Sequence, residues 1–215
     1  AVSRISGIPG VVMVTLGPAV TNSVTTAFMA QMAGSPLLII GGQGNTRDFD
    51  RGAAMQAKHV RIMTPVTKFA ARVLHTERIP EYIEIAWRYM WAGRPGPVFL
   101  EIPIDVLSAP AEPQAPANGL AARSASLLPE TATEIETALA KAKRPILVIG
   151  DEARWEAAWG LDPANLQQVI ERHGLPFSSL RHARGLVDER HPLYLGPACV
   201  FAHKSWQRTF KEADL

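Results

Sequence analysis

The chain has 215 residues, with 22 Lys and Arg against 20 Asp and Glu and an apolar content of 47%; that is about 1.4 typical domains, long for one small module and short for two complete α/β domains. A formal net charge of +2 without Lys/Arg blocks excludes the basic stripe of a nucleic-acid partner, and no apolar run approaches the roughly 20 residues of a membrane span. Cys199 is the only cysteine, which excludes an internal disulfide and a cysteine-built metal site; no secretory signal is visible, and the cytoplasm is the expected compartment.

Residues 11–16, Val-Val-Met-Val-Thr-Leu, read as a strand buried on both faces, as in a parallel sheet. Gly17-Pro18 stops it, and a helix follows from Thr21 to Gly34 with Val24, Ala27 and Phe28 at helical spacing. Residues 36–41 form a second apolar strand, a polar loop runs from Gly42 to about Arg51, and 52–60 reads as a short helix. Pro65 to Val73 is a further, mixed strand. Ile79-Pro80 opens a helix with Pro in the first turn. Ile83, Ala86, Trp87, Met90 and Trp91 give it one apolar stripe, expected to be core or subunit interface. Gly93 ends it, and Pro97 to Ile102 is the next apolar strand. This alternation predicts an α/β fold with a doubly wound parallel sheet.

Residues 109–127 are Pro/Ala-rich and read as a semi-rigid linker between a unit at 1–108 and a second at 128–215. In the second unit Ile135, Ala138, Leu139 and Ala142 make a helical stripe, and Pro145 to Ile149 is a buried strand. Asp162-Pro163 caps a helix carrying Leu166, Val169 and Ile170, which Gly174 closes. Pro176 to Leu180 is the last strand expected, with no helix or strand completed after it.

Several segments in order carry a family likeness. They are Thr15-Leu16-Gly17-Pro18-Ala19-Val20-Thr21-Asn22, then 36–43, then Pro65-Val66-Thr67-Lys68, then Gly93-Arg94-Pro95-Gly96-Pro97-Val98, closing on Glu101-Ile102-Pro103-Ile104-Asp105-Val106. In this order and spacing the sequence resembles thiamine diphosphate enzymes of the acetolactate synthase type. The run from Thr67 to Val73, with Thr76 to Pro80, is similar to benzaldehyde lyase in particular. The second unit resembles the front of the family's Rossmann-like central domain. Ala19 departs from the glycine usual at its position.

The resemblance implies a pyrimidine-binding domain, N-terminally truncated, followed by a partial central domain. The chain is thus expected to be an internal fragment, inactive alone, of an enzyme that makes or breaks a carbon–carbon bond beside a carbonyl. Acetolactate synthase is the first reading; benzaldehyde lyase and 2-hydroxyacyl lyases are the alternatives. In the family a glutamate of the first domain acts on the pyrimidine so that the cofactor can serve as electron sink for a 2-oxo acid or aldehyde. No residue here matches that glutamate, and the Mg²⁺ and diphosphate site is expected in a third domain. FAD is a candidate second cofactor, and a homodimer or homotetramer is expected because the family's active sites span two subunits. Two other classes stand against this reading. A nucleotide-binding α/β protein calls for a Gly-x-Gly-x-x-Gly turn, which is absent. A non-catalytic interaction module would lack the activating glutamate altogether. Exposed apolar surface is expected where further strands and the third domain would pack.

Gly17-Pro18 lets the chain turn tightly at a strand end, where α/β sheets place ligands. By the resemblance Thr15, Gly17, Pro18 and Asn22 face the cofactor. Gln56 is the candidate catalytic residue, matching the family's glutamine, since an amide both donates and accepts near a reacting oxygen. Lys68 is expected to be a strand-end lysine reaching solvent, the alternative being a charge near the site entrance. Arg94 is expected to cap the helix before it. Gly150-Asp151-Glu152 looks like the opening of a Mg²⁺ motif, but Glu152 replaces the needed glycine, so a surface turn is expected. The six histidines, 59, 75, 173, 182, 191 and 203, lack ligand spacing; His59, near Gln56, reads as a lone structural histidine, the alternative being that it faces the site. Cys199 is expected to be a small buried side chain. Arg47, Asp48, Asp50 and Arg51 read as a solvated loop, although by the resemblance a loop in this position borders the substrate channel.

Overall fold

The computed structural model describes residues 2–112, 128–155, 163–199 and 202–215. The chain divides into two compact units, Ala1–Ala122 and Arg123–Leu215.

The first unit runs α1 (Val2–Ser6), β1 (Gly10–Val14), α2 (Pro18–Met32), β2 (Leu37–Gln43), α3 (His59–Met63), β3 (Phe69–Arg72), α4 (Ile79–Trp91), β4 (Pro97–Pro103) and α5 (Ile104–Ser108). Its sheet has the order β1-β2-β4-β3, with all three pairings parallel. Strands β2 and β4 are central, so their apolar side chains have neighbours above and below. Alternate residues serve opposite faces, as the strand period of two requires. Ile39 and Phe99 pack with Val20 and Ala27 of α2 and Met63 of α3 on one face. Ile40 and Ile102 pack with Val73, Val106, Ile79 and Tyr82 on the other. Helices cover both faces, and the doubly wound parallel architecture is as the sequence predicts. Pro at the first helical turn opens both α2 and α4.

β1 departs from its expected burial. Val11 and Met13 are 59% and 68% exposed, because β1 is an edge strand of the described sheet. An apolar run encodes the wish for two covered faces, not the presence of neighbours. Phe28, placed by spacing on the buried stripe of α2, is also exposed, and Val20, Ala27 and Ala30 form that stripe instead. The helix expected over 52–60 begins only at His59, and the strand expected from Pro65 begins at Phe69, after a 3₁₀ turn over Thr64–Val66. In α4 the stripe is as read: Ala86, Met90 and Trp91 are buried.

The second unit has α6 (Pro129–Lys141), β5 (Leu147–Ile149), α7 (Pro163–His173), β6 (Phe177–Ser179), β7 (Tyr194–Pro197) and α8 (Lys204–Glu212). Its sheet is β5-β6-β7, again parallel. Ile149, Ile170, Phe177, Ala183 and Val187 form its core. The expectation that nothing regular follows residue 180 is corrected: β7 and α8 are both present. Cys199 is corrected too, being exposed just past the edge strand β7. Asp162, expected as a helix cap, and most of the expected linker lie outside the described residues. No described helix is long and apolar enough to cross a membrane.

Candidate functional site

The carboxyl ends of β1, β2, β3 and β4 carry the polar chemistry of the first unit. The turn after β1 is set by Gly17, whose φ of 65° and ψ of −121° suit only glycine. A Cβ at Gly17 would stand 2.6 Å from the Met55 carbonyl oxygen and 2.8 Å from the Met55 Cβ. The loop carrying Met55 and Gln56 therefore leans directly on this turn. Met55 itself has a φ of 59°, an unusual conformation for a side chain of its kind.

Beneath the turn lies a buried polar network. His59, Glu101 and Gln43 are each 1% exposed or less. The Gly17 N–H donates to His59 Nε2 at 2.9 Å. An acceptor Nε2 leaves the proton of a neutral imidazole on Nδ1. That Nδ1–H points at Glu101 Oε2, 2.8 Å away. Gln43 Nε2 spends its two hydrogens on Ala57 O at 2.9 Å and Glu101 Oε2 at 3.1 Å. Its 3.3 Å approach to His59 Nδ1 is thus a contact between two donors sharing one carboxylate oxygen. Gln43 Oε1 accepts from the Gly44 N–H. The other Glu101 oxygen takes the Arg72 guanidinium, and Arg72 is the register partner of Glu101 across β3 and β4. Arg72 also stacks under Phe49, 4.4 Å from the ring centroid. A carboxylate buried in the centre of a sheet is tolerable only when paired and hydrogen-bonded. Here both its oxygens are engaged.

Of the residues read as cofactor-facing, Thr15, Gly17 and Pro18 lie within four residues at the strand–helix turn. Gly17 is buried; Thr15 and Pro18 are exposed. Asn22 is exposed one turn further along α2. Gln56 is half-buried in the loop against Gly17, its backbone N–H donating to Ala53 O. Neither the Asn22 nor the Gln56 side chain hydrogen-bonds another described residue.

Lys68 is half-buried, and its ammonium folds back onto the chain rather than extending freely into solvent. Its Nζ donates to the carbonyls of Ala92, at 2.5 Å, and Arg94, at 2.7 Å. It thereby satisfies the carboxyl end of α4, and burial lowers its pKa. Arg94, expected at the end of α4, donates to Met32 O at the end of α2. The loop over Arg47 and Asp48 is solvated, yet tethered: the Thr46 hydroxyl and N–H donate to Asp105, the hydroxyl at 2.6 Å. Gly150-Asp151-Glu152 leads into a 3₁₀ turn over Asp151–Trp155, where Asp151 accepts from the His182 N–H at 2.8 Å. Among the described residues no group of three or more His, Cys, Asp or Glu could hold a metal.

Sequence reasoning missed Glu101 and Arg72 as site residues. A glutamate inside an otherwise apolar, fully buried strand (Pro97–Pro103) was the available signal, since such a charge requires partners.

Comparison with known proteins fits this geometry. Residues 1–62 match the family model "Thiamine pyrophosphate enzyme, N-terminal TPP binding domain", and residues 132–215 match "Thiamine pyrophosphate enzyme, central domain". The chain belongs to the thiamine pyrophosphate enzyme family. It is 31% identical to human 2-hydroxyacyl-CoA lyase 2 over 91% of its length and 36% of the relative's. It is 31% identical to the acetolactate synthase isozyme 1 large subunit of Escherichia coli over 99% of its length and 37% of the relative's. The 2-hydroxyacyl-CoA lyase 2 of Caenorhabditis elegans is 33% identical over 91% of the chain. The chain thus spans a little over a third of the length of these relatives.

Proposed function

We propose that the first unit supplies the pyrimidine-binding side of a thiamine diphosphate site in an enzyme that forms or cleaves a carbon–carbon bond next to a carbonyl. The substrate class is a 2-oxo acid or aldehyde, with an acetolactate synthase-like reaction as the first reading and a 2-hydroxyacyl or benzaldehyde lyase reaction as the alternative. The observation that carries the proposal is the Gly17 turn at the carboxyl ends of the parallel strands, with the Met55–Gln56 loop seated against it. Ligands of open α/β sheets bind at such strand ends.

The residues present fit the group. An aminopyrimidine offers both hydrogen-bond donors and acceptors. Thr15 and Asn22, both exposed, and Gln56, half-buried beside Gly17, are neutral side chains that can each donate and accept. Thr15, Gly17, Pro18 and Asn22 would hold the ring, and Gln56 would reach toward the ring and the substrate oxygen. When bound, the cofactor supplies the electron sink for carbanion chemistry. The protein's part is binding and orientation. Mg²⁺ and the diphosphate are assigned to a further domain, FAD remains a candidate on the central domain, and a homodimer or homotetramer completes the site. The division into 1–108, a linker at 109–127 and 128–215 belongs to the same proposal.

The test is an amide NMR titration of the isotope-labelled chain with thiamine diphosphate and Mg²⁺. Shifts concentrated at Thr15, Gly17, Asn22 and Gln56 are expected. Shifts confined to residues 128–215 would overturn the assignment.

A further inference from the structure

We propose that His59 is a positioning residue for the cofactor-facing turn: locked in its Nδ1–H form by Glu101, it holds the Gly17 N–H and so fixes the turn against which the aminopyrimidine ring rests. The inference deepens the reading above and rests on it.

The geometry sets out a relay of single-purpose contacts. Arg72 and Gln43 both bind the Glu101 carboxylate, so it cannot swing away from the imidazole. Glu101 takes the Nδ1 proton of His59, which leaves Nε2 as an acceptor only. Nε2 faces one donor, the N–H of Gly17, 42 residues away in sequence. The opposite tautomer would set two N–H groups against each other at the turn and leave Glu101 Oε2 short of one donor. Free imidazole has no such constraint; the carboxylate imposes it, as carboxylates do for histidines that must keep one nitrogen free. Met55 packs against the other side of Gly17, where a Cβ would stand 2.6 Å from its carbonyl oxygen. The turn is thus clamped between a histidine lone pair and a backbone carbonyl. Groups that touch a ligand place it precisely only when buried partners behind them hold them in position.

Two substitutions separate positioning from mere space-filling. A glutamine side chain puts an acceptor oxygen near the reach of Nε2, whereas asparagine reaches only as far as Nδ1. In the labelled chain, His59→Gln is expected to keep thiamine affinity within a few-fold of wild type. His59→Asn, which leaves a buried donor unsatisfied, is expected to weaken it about tenfold. The independent readout needs no variant and no ligand: imidazole ¹⁵N spectra of the unsubstituted chain should show a protonated Nδ1, an unprotonated Nε2, and a scalar coupling from Nε2 to the Gly17 amide. A protonated Nε2, or equal thiamine affinity for the Gln and Asn variants, would overturn the inference. If thiamine moves no resonance of Thr15–Asn22 in wild type, the ligand reading itself fails, and the ¹⁵N spectra still judge the His59–Gly17 contact separately.

Discussion

Replacing Gly17 by alanine tests how tightly the candidate site is built. The backbone at φ 65°, ψ −121° costs an L-residue about 1–3 kcal/mol. The new Cβ would also press on the Met55 oxygen and Cβ at 2.6 and 2.8 Å. Met55 already sits at φ 59°, so it has little room to retreat, and overpacking of this kind adds about 1–3 kcal/mol. The expected loss is therefore about 2–6 kcal/mol, a large share of a typical domain's stability of about 5–15 kcal/mol. Gly52→Ala is the control. Gly52 also has positive φ, +73°, but nothing lies within 4 Å of its would-be Cβ, so it meets only the backbone cost of about 1–2 kcal/mol. Urea unfolding of the first unit, followed at amides of β2 and β4, reads the difference. With a slope of about 2 kcal/mol per molar, Gly17→Ala should fall below Gly52→Ala in midpoint by about half a molar or more. Equal midpoints would refute the close packing of Met55 against the turn.

Three further outcomes follow from other contacts. The Thr46 hydroxyl, then backbone N–H groups of Thr46, Asp105 and Val106, hold the Asp105 carboxyl below its usual range. A depressed folded value means its stabilisation is complete above the unfolded carboxylate pKa and is lost as pH falls through the folded one. Protection of the Thr46 amide, relative to its intrinsic exchange rate, should accordingly fall in that acidic window, and Asp105→Asn should remove the pH dependence of the protection; unchanged dependence in the variant would rule out the tether. Lys68→Met should destabilise the first unit by about 0.5–1.5 kcal/mol through the hydrogen bonds lost to the Ala92 and Arg94 carbonyls, without altering thiamine-induced shifts at Gly17; a loss of those shifts would return Lys68 to the site. Finally, the 215-residue chain by itself is expected to form neither acetolactate from pyruvate nor benzoin from benzaldehyde, and product detected by chromatography would contradict that expectation.

What the sequence disclosed follows from the range of the forces involved. The central strands β2 and β4 and the stripe of α4 were legible because burial on both faces, or on one helical face, leaves a local pattern. The exposure of β1 was not, since Val11 and Met13 carry the composition of a covered strand at the edge of the described sheet. β7 was missed because it has four residues and ends in Gly196-Pro197; α8 was missed because charged and polar residues fill most of it. Within the proposed site, Gly17, Pro18 and Gln56 are read from motif and order. The network of Gln43, His59, Arg72 and Glu101 joins four elements across up to 58 residues of sequence, and no local periodicity records such a pairing. Lys68 and Arg94 were identified as polar residues near helix ends, but which end each serves depends on how α2 and α4 sit beside the sheet.

The central claim is that the Gly17 turn and Gln56 receive the aminopyrimidine half of thiamine diphosphate. Intermolecular nuclear Overhauser contacts from the pyrimidine methyl and ring hydrogens of thiamine diphosphate to the labelled chain test it most directly. The account predicts contacts to Thr15, Gly17, Pro18, Asn22 and Gln56. Contacts confined to the second unit, or none at saturating thiamine diphosphate, would contradict it.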